Sequence, residues 1–184
     1  ELSLAFTYAF RGMGSDTFEF DANRFRADGA FFTLRGDLAR TQELPFGFQL
    51  HGRGAGQFSD TPLISNEQYP LGGMTTVRGY LEAEILGDRG LMGSVEFRSP
   101  NLAPGNPDDN EARVYSFFEG GFVTLLEPLP EQDDSFDIAS FGIGGRLRFL
   151  KHFSGEVNLG VPLVGEGETE PWDPRVSFLI RGQM

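Results

Sequence analysis

Hydrophobic and polar residues alternate along eight stretches of the chain, and this pattern predicts eight antiparallel β-strands. In the first stretch Leu2, Leu4 and Phe6 alternate with small or polar residues up to Arg11. A period of two over this length is typical of a strand with one apolar face. The predicted strands cover residues 2–11, 30–41, 46–58, 91–99, 113–124, 136–149, 153–163 and 175 to the C terminus.

The connections between these strands alternate in length. Those at 43–45 and 151–152 are short, 100–112 is intermediate, and the longer ones cover 12–28, 60–89, 127–135 and 165–174. Long loops at one end, an apolar face and a charged face together predict an antiparallel transmembrane β-barrel of the outer-membrane type. A soluble β-sandwich is the alternative, but it does not predict connections that differ in length between its two ends.

The second face of nearly every predicted strand is small or charged. In a barrel this face surrounds water or a plug, so its charged residues are expected to lie in the lumen. These residues are Arg35, Asp37, Arg53, Glu96, Arg98, Glu119, Arg146, Arg148 and Glu156.

Composition excludes several classes of function. The chain has no cysteine, so disulfides and thiolate metal sites are ruled out. A net charge of −12 argues against binding to nucleic acid, which needs a basic surface. His51 and His152 have no nearby Ser/Asp arrangement or metal-ligand spacing, and we expect no enzymatic activity and no metal. Gly142-x-Gly144-Gly145 lies inside a strand, where it is expected to let strands bend or a plug approach closely.

Residues 60–89 form a connection that is too long for a hairpin turn, which normally needs about two to five residues. A long ordered insertion of this kind favours a functional loop over a simple connector. Within it, Gly87-Asp88-Arg89-Gly90 predicts a tight turn into the next strand.

Several strings in and around this loop resemble those of the two-partner secretion transporters of the hemolysin-activator type, in the same order. That family lies in a superfamily with the barrel-assembly insertases of bacteria, mitochondria and chloroplasts. The resemblance covers nearly the whole chain. The strings are Ala27-Asp28-Gly29-Ala30-Phe31, Leu44-Pro45-Phe46-Gly47, Asn66-Glu67-Gln68-Tyr69, Leu71-Gly72-Gly73, Val77-Arg78-Gly79-Tyr80, Gly87-Asp88-Arg89-Gly90-Leu91, Glu96-Phe97-Arg98 and Phe117-Phe118-Glu119-Gly120-Gly121.

The resemblance implies a partner for the loop. In the superfamily the long loop folds back into the barrel, and its arginine meets an acidic residue in a Phe-x-Asp-x-Gly pattern on the inner wall. The matching positions are the loop motif Val77, Arg78, Gly79, Tyr80 and the wall pattern Phe117, Glu119, Gly121, with glutamate in place of aspartate. We therefore hypothesise that Arg78 pairs with Glu119 and pins the loop inside the lumen.

The resemblance also implies a function: an outer-membrane polypeptide transporter that secretes a partner exoprotein without nucleotide or cofactor. An insertase for other barrel proteins, or a barrel that anchors and secretes its own fused passenger, are the alternatives. The expected location is the bacterial outer membrane. The expected partners are its lipid and lipopolysaccharide, together with a secreted exoprotein or a client barrel.

The family barrel has sixteen strands preceded by POTRA domains, and residues 1–184 correspond to its C-terminal half. A closed barrel of about eight strands is filled by its own side chains, which leaves no room for a long inserted loop. Three interpretations follow. The favoured one is a fragment of a larger transporter. The others are an eight-stranded chain that associates with itself or a partner, and a small closed barrel whose loop stays outside.

Overall fold

The computed structural model describes residues 1–9, 30–104, 109–150 and 152–182 of the 184-residue chain. Within these ranges no helix is long and apolar enough to cross a membrane. Two short 3-10 turns lie at Pro45–Gly47 and Ser65–Glu67. The strands are Leu2–Tyr8 (β1), Phe32–Glu43 (β2), Gln49–Ser59 (β3), Tyr69–Leu71 (β4), Ile85–Gly87 (β5), Arg89–Arg98 (β6), Glu111–Thr124 (β7), Ser135–Phe149 (β8), Phe153–Pro162 (β9) and Arg175–Gly182 (β10).

The eight long strands form one antiparallel sheet in the order β1-β2-β3-β6-β7-β8-β9-β10. Each strand therefore pairs with the next long strand along the chain. Between β3 and β6, residues 60–88 form a connection that we call the inner loop, and β4 and β5 pair with each other inside it. No ladder joins β1 to β10 among the described residues, so the sheet is open.

Side chains alternate between the two faces of the sheet as the sequence predicts. Along β6, Leu91, Val95 and Phe97 are exposed, whereas Met92 and Glu96 are buried. We call the face with the exposed apolar residues the outer face and the face covered by the inner loop the inner face. The interpretation of a small closed barrel with its loop outside is therefore wrong for this chain.

Most strand boundaries lie within two residues of the predicted ones, and the largest difference within the described residues is at the start of β3. The predicted third strand begins at Phe46, but this residue lies in the turn Pro45–Gly47 with φ of 64°. Since Glu43 pairs with Gln49, the residues between them must reverse the chain direction. The first strand, predicted to reach Arg11, ends at Tyr8 among the described residues, and positions 10–11 and the connection 12–28 lie outside them.

A small hydrophobic core lies between the inner loop and the sheet. The inner loop contributes Leu71, Val77, Tyr80 and Ile85, and the sheet contributes Met92, Val123 and Ile138. Full burial of a large apolar side chain stabilises a fold by about 1.5–3 kcal/mol. The inner loop is therefore held to the sheet by apolar packing as well as by polar contacts.

Candidate functional site

The inner loop crosses the inner face from β2–β3 to β8–β9. Near its start, the Arg35 side chain donates from Nη2 to the carbonyl oxygen of Glu67 at 3.0 Å. In its middle, Arg53 on β3 donates from Nη1 to the carbonyl oxygen of Thr75 at 2.8 Å. Farther along, the Tyr80 hydroxyl reaches the carbonyl oxygens of Ala139 and Val164.

Arg78 and Glu119 are brought together at the centre of this crossing. The Arg78 backbone N–H donates to Glu119 Oε2 at 2.8 Å, and Arg78 Nε lies 3.1 Å from both carboxylate oxygens. Arg78 Nη2 also donates to Glu119 Oε1. Only 4% of each side chain is exposed, so this ion pair is a buried one. Charge-assisted contacts of this kind are about twice as strong as neutral hydrogen bonds.

Two further strands complete the surroundings of the guanidinium. Arg78 Nη2 donates to Glu96 Oε1 on β6 at 2.7 Å, and Arg78 Nη1 donates to Asn158 Oδ1 on β9 at 3.1 Å. The second oxygen of Glu96 accepts from Arg98 at 2.6 and 2.8 Å. The sequence identifies Glu96 and Arg98 as lumenal charges and as part of the string Glu96-Phe97-Arg98, but it does not predict their contact with Arg78, and it does not single out Asn158.

Aromatic rings lie against the same guanidinium. Arg78 Cζ is 3.8 Å from the centroid of the Phe117 ring, within the range of a cation–π contact. Phe117 pairs directly with Gly142 on β8, and Tyr115 pairs with Gly144. A Cβ atom at either glycine would lie 2.5 Å from the neighbouring ring. These two glycines therefore leave room for the rings that support Arg78.

The third residue of the wall pattern, Gly121, also faces the inner loop. A Cβ atom there would lie 2.9 Å from Leu71 Cδ1 of the loop. The wall pattern thus offers the loop three different surfaces. Phe117 supplies a ring, Glu119 a carboxylate, and Gly121 a gap that Leu71 fills.

Tyr80 connects the loop motif to the far end of β8 and β9. Its hydroxyl oxygen is 2.9 Å from the carbonyl oxygen of Ala139 and 2.8 Å from that of Val164. It also accepts from the backbone N–H groups of both residues at 3.3 Å. Burial raises the pKa of the Tyr80 hydroxyl above its ordinary value. A raised pKa favours the protonated hydroxyl, which can donate to one of the two carbonyls.

The remaining predicted lumenal charges pair mainly along the wall or with the loop. Arg35 lies 3.6 Å from the Glu67 carboxylate of the loop. On the wall, the nearest side-chain nitrogen and oxygen atoms are 2.7 Å apart for Arg53–Asp37, 3.1 Å for Arg146–Glu156 and 3.6 Å for Arg148–Glu111. Each of these four arginines therefore has a carboxylate beside it.

Asp88 is a buried residue whose contacts the sequence does not predict. It forms a single bend between β5 and β6, where a tight turn is expected from the sequence. Its Oδ1 accepts from the Leu63 N–H at 2.9 Å and from Gln68 Nε2 at 3.3 Å. Its Oδ2 accepts from the Leu126 N–H at 2.6 Å. Asp88 thus joins the start of the inner loop to the connection that follows β7.

The chemistry available at this site is that of holding a loop by charge, hydrogen bonds and packing. Among the residues that the structure describes, no group of three or more His, Cys, Asp or Glu side chains could hold a metal ion. The three carboxylates near Arg78 belong instead to a network with Arg78, Arg98 and Arg146.

Comparison with solved structures shows the fold. CdiB from Escherichia coli matches 98% of this chain with a TM-score of 0.74 and 20% identity. CdiB from Acinetobacter baumannii matches 83% with a TM-score of 0.61 and 19% identity. The chain spans 33% and 27% of the lengths of those two chains.

Comparison with sequences gives two results. No curated protein sequence matches this chain. The family model described as haemolysin secretion/activation protein ShlB/FhaC/HecB matches residues 4–147, which include the inner loop, Glu96 and Glu119. Since this match covers most of the chain, the chain belongs to the ShlB/FhaC/HecB family of haemolysin secretion/activation proteins.

Proposed function

We propose that this chain forms part of the wall of a pore that secretes a partner exoprotein, and that the inner loop is the gate of this pore. The family consists of bacterial outer-membrane β-barrel transporters of secreted partner proteins, so the chain is an outer-membrane protein. The chain spans 33% of the length of the E. coli CdiB chain. Transport by the whole protein is therefore part of the proposal.

The observation that carries the proposal is the burial of Arg78 between Glu119 and Glu96. This contact fastens the inner loop across the inner face, along which an unfolded polypeptide would pass. Breaking a buried ion pair by removing one partner costs about 3–5 kcal/mol. The loop therefore holds its place at rest, and a client polypeptide that displaces it has to offset this cost through its own contacts.

The gate can be tested by a reversible tether in the full-length protein. Arg53→Cys and Thr75→Cys place thiols on the wall and on the loop, at residues already joined by a hydrogen bond of 2.8 Å. A short bifunctional methanethiosulfonate reagent links the two thiols, and a reducing agent removes the link. We expect secretion of the partner exoprotein to stop on linking and to return on reduction.

The matched control links the loop only to itself. Pro70→Cys and Leu86→Cys lie directly opposite each other on β4 and β5. Their link leaves the loop free to move as a unit, so secretion should continue. If the tether between wall and loop also leaves secretion unchanged, the inner loop is not the gate.

A further inference from the structure

The backbone of the loop motif rests directly on the backbone of β9. A Cβ atom at Gly160 would lie 2.6 Å from the Gly79 nitrogen, 2.8 Å from the Gly79 Cα and 2.9 Å from the carbonyl carbon of Arg78. Real Cβ atoms do not approach backbone so closely, and here the crowded atoms are backbone rather than a flexible side-chain tip. Only glycine at position 160 therefore leaves room for the loop motif in this place.

The loop side of the contact is equally restricted. Gly79 has φ of +97°, a backbone conformation that residues with a side chain rarely adopt. A Cβ atom at this position would also lie 3.1 Å from the carbonyl carbon of Gly160. The two glycines thus form a contact of backbone on backbone. Such a contact depends on shape and carries no charge.

Asn158 extends this contact on the same face of β9. Its side chain is 1% exposed, and its Oδ1 accepts from Arg78 Nη1 at 3.1 Å. The amide nitrogen of the same side chain donates to Glu156 Oε1 at 3.1 Å, which fixes the orientation of the amide. Beyond the other end of β9, the carbonyl of Val164 lies 2.8 Å from the Tyr80 hydroxyl. Three consecutive loop residues, Arg78, Gly79 and Tyr80, therefore all contact β9 or the residues that follow it.

From these contacts we infer that β9 is a second latch for the inner loop, with Gly160 and Asn158 as its positioning residues. This inference rests on the proposed gate and adds a restraint to it. The acidic partners Glu96 and Glu119 lie on β6 and β7 and hold Arg78 by charge. The β9 latch holds the backbone of the same motif by fit, and it lies outside residues 4–147 that match the family model.

The test measures whether the loop is seated, without measuring transport. The chain has no cysteine, and Val77 in the loop motif is fully buried. Val77→Cys in the full-length protein therefore gives a reporter whose reaction with a membrane-impermeant maleimide requires the loop to leave its place. Mass spectrometry of the peptide that contains position 77 assigns the label.

We expect Gly160→Ala to raise the labelling rate about tenfold or more, since the added methyl group overpacks a site with no free space. Gly155→Ala is the matched control on the same strand, because a Cβ atom there would meet only the carbonyl oxygen of Leu179 at 3.9 Å. Its labelling rate should stay within about twofold of the parent. Equal labelling of the two alanine variants would overturn the inference.

A second variant keeps the test decisive if Gly160→Ala does not fold. Asn158→Ala introduces no clash and removes the acceptor of Arg78 Nη1. It should raise the labelling rate about threefold or more. A labelling rate equal to that of the parent would overturn the inference.

Secretion measured in parallel separates the β9 latch from the proposed gate. Faster labelling with unchanged secretion would keep the β9 latch and reject the gate, whereas unchanged labelling in both variants would reject the latch whatever happens to secretion.

Discussion

Glu119 and Glu96 share the guanidinium of Arg78 unequally. Glu119 accepts from the backbone N–H, Nε and Nη2 of Arg78, and it has no second arginine among its described hydrogen-bond donors. Glu96 accepts once from Arg78, and its other oxygen is bonded to Arg98. The loop therefore depends more on Glu119 than on Glu96.

This difference predicts that substitutions at Glu119 weaken the seating of the inner loop more than substitutions at Glu96. Glu119→Gln removes the charge that faces Arg78 most closely, and we expect it to weaken the seating of the loop by about 3–5 kcal/mol. Glu96→Gln should cost about 1.5–3 kcal/mol, the range for one hydrogen bond to a charged group. Glu119→Asp keeps the charge on a shorter side chain and should fall between Glu119→Gln and the parent. Labelling of Val77→Cys ranks the variants, and a larger effect for Glu96→Gln would contradict this order.

Exchange of the charges at positions 78 and 119 should rescue the loop only in part. In Arg78→Glu with Glu119→Arg, the new glutamate would face Glu96, whose carboxylate is 2.7 Å from Arg78 Nη2, and Glu156, which is 3.9 Å from Nη1. Adding Glu96→Gln removes the nearest repulsive charge. The triple variant should therefore secrete more exoprotein than the double variant. If the double variant alone restores full secretion, the surroundings of Arg78 contribute little to its position.

The Tyr80 hydroxyl predicts that the thermal stability of the protein depends on pH. Burial raises the pKa of its hydroxyl in the folded state, so its contribution to stability is complete below the unfolded value of about 10 and is lost as pH rises through the folded value. Tyr80→Phe lacks this contribution at every pH. The difference in Tm between the parent and Tyr80→Phe should be constant from neutral pH to about 10 and shrink above it. A difference that stays constant above pH 10 would show that the pKa of the hydroxyl is not raised in the folded state, and one that grows would show that it is lowered.

The partner of a residue could be predicted from the sequence only where the residue belongs to a motif whose partner is known. Arg78 and Glu119 stand in strings that resemble a family, and alternation along β7 places Glu119 on the inner face. Asn158 and Gly160 have no such string, and the string that contains Asp88 predicts a turn but no partner for its carboxylate. Their roles depend on where the inner loop descends onto β9 and on which backbone amides meet the Asp88 carboxylate. Strand periodicity gives the face of a residue but not its height relative to a loop from another part of the chain.

At the scale of strands, the aromatic support of Arg78 depends on the two glycines opposite the rings. At Gly142 a Cβ atom would lie 2.1 Å from the carbonyl oxygen of Leu159 and 2.5 Å from Phe117 Cζ. Gly142→Ala should therefore lower the free energy of unfolding by about 1–3 kcal/mol through overpacking. It should also raise the labelling of Val77→Cys, because Phe117 would shift beneath Arg78.

The matched control lies on the outer face of β6, which is two strands away from β8. At Gly93 a Cβ atom would have nothing within 4 Å. Gly93→Ala restricts the unfolded chain without a clash, so it should be neutral or stabilise by about 0.4–1 kcal/mol. Unfolding in denaturant compares the two variants. Equal stability would mean that the ring does not need the space at Gly142.

The long strands were predictable because each holds a period of two over many residues. The pair of β4 and β5 was not, since three residues are too few to show a period, and their pairing depends on the core formed with Met92, Val123 and Ile138. The start of β3 was missed because apolar alternation continues through Phe46 into the turn. Hydrogen-bond register, which alternation does not encode, decides where this strand begins.

At the scale of the whole molecule, charge is distributed unevenly between the two ends of the sheet. Residues 60–88, 125–134 and 163–174 connect strands at one end and carry thirteen carboxylates and a single arginine, the buried Arg78. The inner face toward the other end instead mixes both signs, since Arg98, Arg113, Arg146 and Arg148 each lie beside a carboxylate. The one cation of these three connections is thus the residue that fastens the inner loop among the carboxylates of the wall.

The outer face is apolar along its length. We therefore expect the free-energy cost of placing a charged residue on it to depend on the depth of that residue in the membrane. Phe118 lies near the middle of β7 and Phe122 near its end, and both are exposed on the outer face. In an outer-membrane barrel an arginine on the lipid face costs about 2–4 kcal/mol at the midplane and about 0–1 kcal/mol near the interface.

Phe118→Arg should therefore destabilise the full-length protein in lipid vesicles by several times as much as Phe122→Arg. Unfolding by denaturant in those vesicles measures the difference. In detergent micelles, which have no fixed midplane, the two variants should differ less. Equal costs in vesicles would mean that β7 does not cross the hydrocarbon core with Phe118 near its centre, and the assignment of the outer face to lipid would have to be revised.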